Sequence, residues 1–274
     1  MSKYGILTLC GTPIGNLEDM TYRAVRTLKE ADIIAAEDTR HTRKLLTHFD
    51  IRTPLVSYHE HNKMQRGSEL IERLKEGKNI TLVTDAGTPG ISDPGEDIVK
   101  LAHKEGIQVT AIPGPVAGIV ALIISGQNTR RFIFEGFLPI DKKERKERLK
   151  ELSVDTNTIV LYEAPHRLKR VIGYLYEALG NRSITICREL TKRYEEVKKM
   201  TLDEAIEYFK INEPRGEYVL VIEGANKEKL EKEAIENWEN ISIEDHMKIY
   251  KEQGFSEKDA MKAVAKDRGV PKRD

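Results

Sequence analysis

The stretch DAGTPGISDPG, residues 85–95, follows directly on the apolar run Ile80-Thr81-Leu82-Val83. A buried strand here ends in an acid and then meets three glycines and two prolines within eleven residues. Ordinary connections between elements take about two to six residues. Glycine lets backbones approach closely, and proline stiffens the chain around that approach. The segment reads as a purpose-built loop rather than a turn. Its position at a strand end decides how the rest of the chain is read.

Outward from that loop, strand-like and helix-like runs alternate. Ile6–Cys10 reads as a strand closed by GTPIGN (11–16), and Met20, Ala24, Leu28 and Ala31 recur at helical spacing. Ile33–Ala36 is a second strand, 37–48 is helix-like, and Pro54–Tyr58 is strand-like. A helix over Ser68–Glu76 stops at Gly77, a residue suited to a C-terminal cap. After the loop come a helix near 96–105 and a strand at Gln108–Ile112. This order predicts an α/β fold with a parallel sheet flanked by helices. Ligands of such sheets bind beyond the carboxyl ends of the strands. Here those ends carry GTPIGN, AEDTRH (36–41), DAGTPGISDPG and IPGPVAG (112–118).

Beyond residue 126 the pattern changes. Strand-like runs at Arg131–Phe137, Thr158–Tyr162, Ser183–Cys187 and Tyr218–Glu223 bracket helices near 142–152 and 166–179. The chain divides into an N-terminal α/β domain (1–126), a second α/β domain (127–225) and a small helical extension (226–274). In the extension Ile243, Met247 and Tyr250, then Ala260, Ala263 and Val264, follow helical spacing across Gly254. With 11 Lys+Arg against 12 Asp+Glu, it is not a basic arm.

Composition narrows the function classes. Lys+Arg and Asp+Glu balance at 45 each, so net charge offers no argument for nucleic-acid binding. Contact with RNA requires a local basic patch. Cys10 and Cys187 sit in apolar strand-like runs and read as buried free thiols of a reducing compartment. The N-terminus lacks the apolar core and cleavage site of a signal peptide. The longest apolar stretch, Val116–Ile124, is far short of a membrane span. A cytoplasmic protein is expected.

GTPIGN is neither GxGxxG nor a phosphate-binding loop ending in Gly-Lys-Ser/Thr. The prolines of DAGTPGISDPG stand where a phosphate nest needs N–H donors. Such loops suit a flat or apolar ligand held by backbone groups, such as a nucleoside carrying a sulfonium. A purely structural role for each loop is the competing interpretation, and three such loops at one sheet edge weigh against it.

Seven segments then fall into one pattern: 11–46, SYHEHN (57–62), DAGTPGISDPG, IPGPVA (112–117), FEGFLP (134–139), YEAPHRL (162–168) and RELTKRYEE (188–196). Together they resemble the ribosomal RNA small subunit methyltransferase I family, part of the tetrapyrrole-methylase-like (class III) methyltransferases. The resemblance runs continuously over residues 1–225. It implies two α/β domains with S-adenosylmethionine in the cleft between them, and a homodimer. It also implies methyl transfer to the ribose 2′-hydroxyl of a cytidine in the decoding region of 16S ribosomal RNA, free or in the small subunit. Carried onto this chain, it puts Pro13, Asp85, Ala86, Gly87, Ile91, Val116 and Ala117 on one side of the cofactor. Tyr162, Glu163, Leu190, Gly216 and Glu217 would line the other side. The family pattern carries serine where Val116 stands. For Glu163 and Glu217, a structural ion pair with a nearby arginine is the alternative.

A ribose hydroxyl is a poor nucleophile at neutral pH and needs a base or a strongly orienting site. Glu37, Asp38 and His41 in AEDTRH are the candidates, and the sequence does not choose among them. Asp38 is equally suited to an N-cap. At four-residue spacing Arg40 and Lys44 share a helix face, as do Thr39 and Arg43. Arg40, Arg43 and Lys44 form a cationic cluster fit for phosphates. His59 and His61 in SYHEHN, and His166 and Arg167 in YEAPHRL, are further RNA-contact candidates. KKERKERLK (142–150), with six basic and two acidic residues, is a second basic run or simply a solvated helix face. No metal is expected, since the ligands of HEH alternate faces of a strand. Two other readings are a methylase of a corrin-type macrocycle and a non-catalytic RNA-binding assembly module. The cationic, histidine-rich loops oppose the first, and intact cofactor-side loops oppose the second.

Overall fold

The structure is a computed structural model and describes residues 4–239 and 241–270. Five strands form the first sheet: β1 (Ile6–Cys10), β2 (Ile33–Ala36), β3 (Leu55–Ser57), β4 (Ile80–Val83) and β5 (Gln108–Ile112), in the order β3-β2-β4-β1-β5. Every pairing is parallel. Side chains alternate between faces, as the pleat requires. Leu7, Leu9, Ile80 and Leu82 meet α3 (Lys63–Lys75) and α4 (Gly95–Lys104), whereas Cys10, Ile34, Ala36 and Val83 meet α1 (Tyr22–Glu30) and α2 (Thr39–His48). The Thr21 hydroxyl caps α1, and the Asp38 carboxylate caps α2.

Helix α3 begins at Lys63, earlier than the expected Ser68. Gly67 is buried inside the helix. A Cβ there would stand 3.2 Å from Leu101 Cδ1, so the glycine serves close packing of α3 on α4.

The second sheet contains β6 (Phe132–Gly136), β7 (Thr158–Glu163), β8 (Ser183–Arg188), β9 (Glu196–Thr201) and β10 (Tyr218–Ile222), ordered β6-β7-β10-β8-β9. Only β6 and β7 run parallel; β10 is antiparallel to both its neighbours, and β9 to β8. One face, with Ile159, Leu161, Ile184 and Leu220, is covered by α6 (Lys142–Val154), α7 (Pro165–Leu179) and α8 (Leu202–Ile211). The other face, with Val160, Cys187, Val219 and Val221, receives α5 (Ala117–Ile124) through Ala121 and Leu122. Both thiols are fully buried, and burial pushes each up to about 12. Strand β9 and helices α5 and α8 are additions to the sequence reading. β9 is a half-buried, charged edge strand, and α5 is apolar on every side, so neither shows a clear period.

The extension holds three helices: α9 (Lys227–Glu239), α10 (Ile243–Glu252) and α11 (Glu257–Asp267). Its centre is His246, fully buried and stacked on Trp238 at 3.7 Å between ring centroids. The Asp267 carboxylate meets His246 Nε2 at 3.3 Å and accepts the Tyr250 hydroxyl at 2.5 Å. Among the described residues no helix is long and apolar enough to cross a membrane.

The start of α5 joins the two halves. Its N-cap, Val116, offers no side-chain acceptor. The Gly118 N–H instead donates to the Tyr162 hydroxyl, 3.0 Å away on β7. Tyrosine from the second sheet thus does what serine would do at position 116. Tyr162→Phe should destabilise the fold by about 0.5–2 kcal/mol, the worth of an N-cap. Val116→Ser in the same chain should recover most of that loss, read by denaturant unfolding.

Candidate active site

The loops at the carboxyl edge of the first sheet are tied to one another. Thr12 and Gly87 exchange two backbone hydrogen bonds, at 2.9 and 3.1 Å. The Thr12 hydroxyl also reaches the carbonyls of Thr84 and Gly87. Gly11 and Gly114 touch, and a Cβ on either would stand 2.7 Å from the other's Cα. Thr88 donates to the Pro115 carbonyl, and the Asp93 carboxylate accepts the N–H groups of Gly90, Ile91 and Gly95. Gly87 and Gly90 have φ of +85° and +88°, a region glycine enters without penalty. The glycines of the opening stretch serve loop-to-loop contact and left-handed backbone.

These loops face the second sheet across a cleft of about 400 Å³. From the first half, Ala86, Gly87, Ile91, Val116 and Ala117 line it; from the second, Tyr162, Glu163, Leu190 and Glu217. Pro13 and Asp85 lie elsewhere, lining a separate hollow with His41 and Lys44. Ile14, Thr84 and Ala86, flanking the Thr12–Gly87 bridge, turn into the cleft in their place. The Asp85 carboxylate accepts the Asp38 N–H at 2.9 Å. Gly216, at φ +82°, instead makes room for Glu189, whose side chain a Cβ would meet at 2.6 Å. Phe137, Thr88 and Asp93 also line the cleft and were not assigned from sequence. Their segments FEGFLP and DAGTPGISDPG were the signal that pointed to them.

Glu163 is the unusual group of the cleft. It is only 3% exposed. Its Oε1 accepts the Ala164 N–H at 2.9 Å and lies 3.4 Å from Arg167 Nε, while Oε2 is buried without a partner. Desolvation holds its carboxyl above the usual range, and the Ala164 N–H and the Arg167 charge only offset this. The ion-pair alternative thus holds for Glu163, but it satisfies a single oxygen. Glu217 is exposed and pairs with Lys192, which also holds Glu189.

Of the candidate bases, Glu37 alone opens on the cleft, where it accepts the Thr84 hydroxyl at 2.9 Å. The Asp38 carboxylate caps α2 through the Arg40 and His41 N–H groups and pairs with the Arg40 side chain. Those hydrogen bonds, that of the Arg40 backbone foremost, hold it below the usual range and weaken it as a base. His41 lines the neighbouring hollow. Arg40, Arg43, Lys44, His61 and His166 are exposed. His59 is half-buried, with its N–H on Asn62 and Nδ1 buried unpaired. The guanidinium of Arg167 is engaged by Glu163 and the Leu138 carbonyl, which removes it from a surface role. Among the described residues no group of three His, Cys, Asp or Glu could hold a metal ion.

Of the four non-glycine residues with positive φ among the described residues, all but Asp50 lie at this place. Ser92, Glu189 and Thr191 have φ of +62°, +50° and +65°, and Leu190 between the last two lines the cleft. Two measurements probe this arrangement. Gly11→Ala should cost about 1–3 kcal/mol in chemical denaturation, the scale of overpacking. Glu163 binds its proton more tightly folded than unfolded, so its contribution to stability falls as pH rises from the ordinary carboxylate range through its raised value. Glu163→Gln should therefore gain stability relative to the parent as pH rises from acid to neutral, read as the difference in Tm.

The likenesses of the chain agree with this geometry. The family model of Tetrapyrrole (Corrin/Porphyrin) Methylases matches residues 7–206. The Ribosomal RNA small subunit methyltransferase I of Halalkalibacterium halodurans is 55% identical over 270 residues, covering 98% of this chain and 93% of that protein. The protein of the same name from Bacillus subtilis is 50% identical over 273 residues, covering 100% and 93%. Among solved structures, the methyltransferase CobJ superposes with a TM-score of 0.62 at 20% identity, over 81% of this chain and 95% of that one. Uroporphyrin-III C-methyl transferase from Thermus thermophilus, complexed with S-adenyl homocysteine, gives 0.57 at 15% identity, over 79% and 96%. These two structures speak for the fold, and the close relatives for kinship. The chain belongs to the tetrapyrrole methylase family, in its ribosomal RNA small subunit methyltransferase I branch.

Proposed function

We propose that the protein methylates the ribose 2′-hydroxyl of a cytidine in the decoding region of 16S ribosomal RNA, using S-adenosylmethionine, in the cytoplasm. The observation that carries the reading is the cleft between the sheets, with apolar walls and one buried carboxylate oxygen left without a donor. That combination fits a cationic nucleoside. An unpaired buried acceptor is costly, and a ligand donor or positive charge relieves it. Ala86, Gly87, Ile91, Val116 and Ala117 would hold the cofactor on one side, and Tyr162, Glu163, Leu190 and Glu217 on the other. S-adenosylmethionine supplies a methyl group on positively charged sulfur. As the bond from the ribose oxygen to that carbon forms and the carbon–sulfur bond breaks, the hydroxyl proton passes to Glu37 and S-adenosylhomocysteine is left.

Glu37 is suited to this step because it faces the cleft and its Thr84 partner fixes its direction. Positioning does much of the remaining work, since in-line transfer needs nucleophile, methyl and sulfur aligned. A homodimer accords with the outer side of α5, where Ile119, Ile123 and Ile124 are exposed on a helix apolar all round.

Deleting the gene should remove ribose methylation at one cytidine of the small-subunit RNA, and restoring it should return the mark, mapped by mass spectrometry. An unchanged map refutes the proposal. Glu37→Gln should lower kcat by about 10²- to 10⁴-fold, the range for a lost general base. Its affinity for S-adenosylmethionine in calorimetry should stay near that of the parent.

A further inference from the structure

The helices over one face of the first sheet differ in charge from those over the other. α1 and α2 carry Arg23, Arg26, Lys29, Arg40, Arg43 and Lys44 against a single acid, Glu30. All six cations are exposed. Among the described residues only Arg40 pairs with a carboxylate, that of Asp38. On the opposite face every cation of α3 is neutralised: Lys63 by Glu60 and Asp97, Arg66 by Glu69, Arg73 by Glu76, and Lys75 by Glu72 and Glu105. The whole chain has a formal net charge of zero, so this imbalance is local.

An aromatic ring accompanies the charge. Tyr22, in the first turn of α1, is 98% exposed. It borders a shallow groove with Met20, Val25, Arg26, Lys29, Glu30 and Phe49. Phe49 caps the far end of α2, and His41 and Lys44 at the near end line the hollow beside Asp85. That hollow backs onto the Thr12–Gly87 bridge, whose other side faces the cleft. One continuous face therefore leads from Tyr22 along α2 to the loops of the active site.

We infer that the α1–α2 face is the track on which single-stranded RNA lies, phosphates against Arg23, Arg26, Lys29, Arg43 and Lys44, with a base stacked on Tyr22. The inference rests on the RNA substrate proposed above and names the surface that grips it. Unpaired, solvated cations bind phosphates with release of counterions and break no existing ion pair. A ring standing free in water is a stacking platform for any unpaired base. RNA is recognised largely through such unstacked segments.

Filter binding of the full chain to protein-free small-subunit RNA across a salt series tests it, with calorimetry of S-adenosylmethionine binding as the control for folding. Arg26→Gln with Lys29→Gln should weaken binding at low salt and reduce the magnitude of the log–log salt slope by about 1.4, two phosphate contacts' worth. Tyr22→Ala should weaken binding about 5- to 100-fold with the slope unchanged. Lys75→Gln on α3 should change neither, and all variants should bind S-adenosylmethionine as the parent does. An unchanged slope in the double variant, or an equal effect of Lys75→Gln, overturns the track. So does a loss seen only with assembled subunits, which would indicate a protein partner. If the parent chain binds S-adenosylmethionine but neither the RNA nor the assembled small subunit, the track and the proposed substrate fall together. If the parent methylates RNA and the double variant does so with equal affinity and salt slope, the track alone falls.

Discussion

The backbone bridge between Thr12 and Gly87 is the constraint on which the rest of the site depends. It lets two loops at the end of a parallel sheet satisfy each other's buried N–H and C=O groups, which would otherwise need water or ligand. The contact of Gly11 with Gly114 adds the third loop. Once these are fixed, neighbouring residues are divided between two sides. Ile14, Thr84 and Ala86 enter the cleft, while Pro13 and Asp85 turn to the hollow behind it. A rigid floor of this type holds reacting groups in register without relying on mobile side chains.

The second domain supplies what the first lacks. The Tyr162 hydroxyl completes the start of α5, and Lys192 spans Glu189 and Glu217 at the rim. Gly15 lies so close to Leu190, Thr191 and Lys192 that a Cβ would collide with the Lys192 side chain at 2.4 Å. Glu163 adds the one deeply buried, half-satisfied charge. The strained backbone at Ser92, Glu189 and Thr191 borders the cleft from both sides. Strain and an unpaired acceptor are costs to stability, and their gathering in one cleft is what a ligand site requires.

Much of this was legible in advance, and the exceptions have causes. The first sheet follows from the run of apolar strands and the caps at Asp38 and Gly77, all local signals. Strand β9 was missed because a charged, half-buried edge carries no strong alternation, and α5 because a helix apolar on every side has no period. The earlier start of α3 sets Gly67 against Leu101, a packing visible only in three dimensions. Asp38 could be read as cap or base, and the hydrogen bonds it accepts from Arg40 and His41 favour the cap. The loop glycines were read as room for a ligand, yet much of that room is taken by neighbouring loops.

By itself the sequence determined the order of elements through the first sheet, the sheet edge where the special loops gather, and the family. Those depend on hydrophobic period, turn residues and motif spacing, which are properties of neighbours along the chain. Only the tertiary structure decided that Glu37 and not His41 faces the cleft, that Glu163 keeps an unpaired oxygen, and that α1 and α2 present unpaired cations. Each of these turns on which distant group comes within a few ångströms, and burial and ion pairing are set by that proximity and not by residue type.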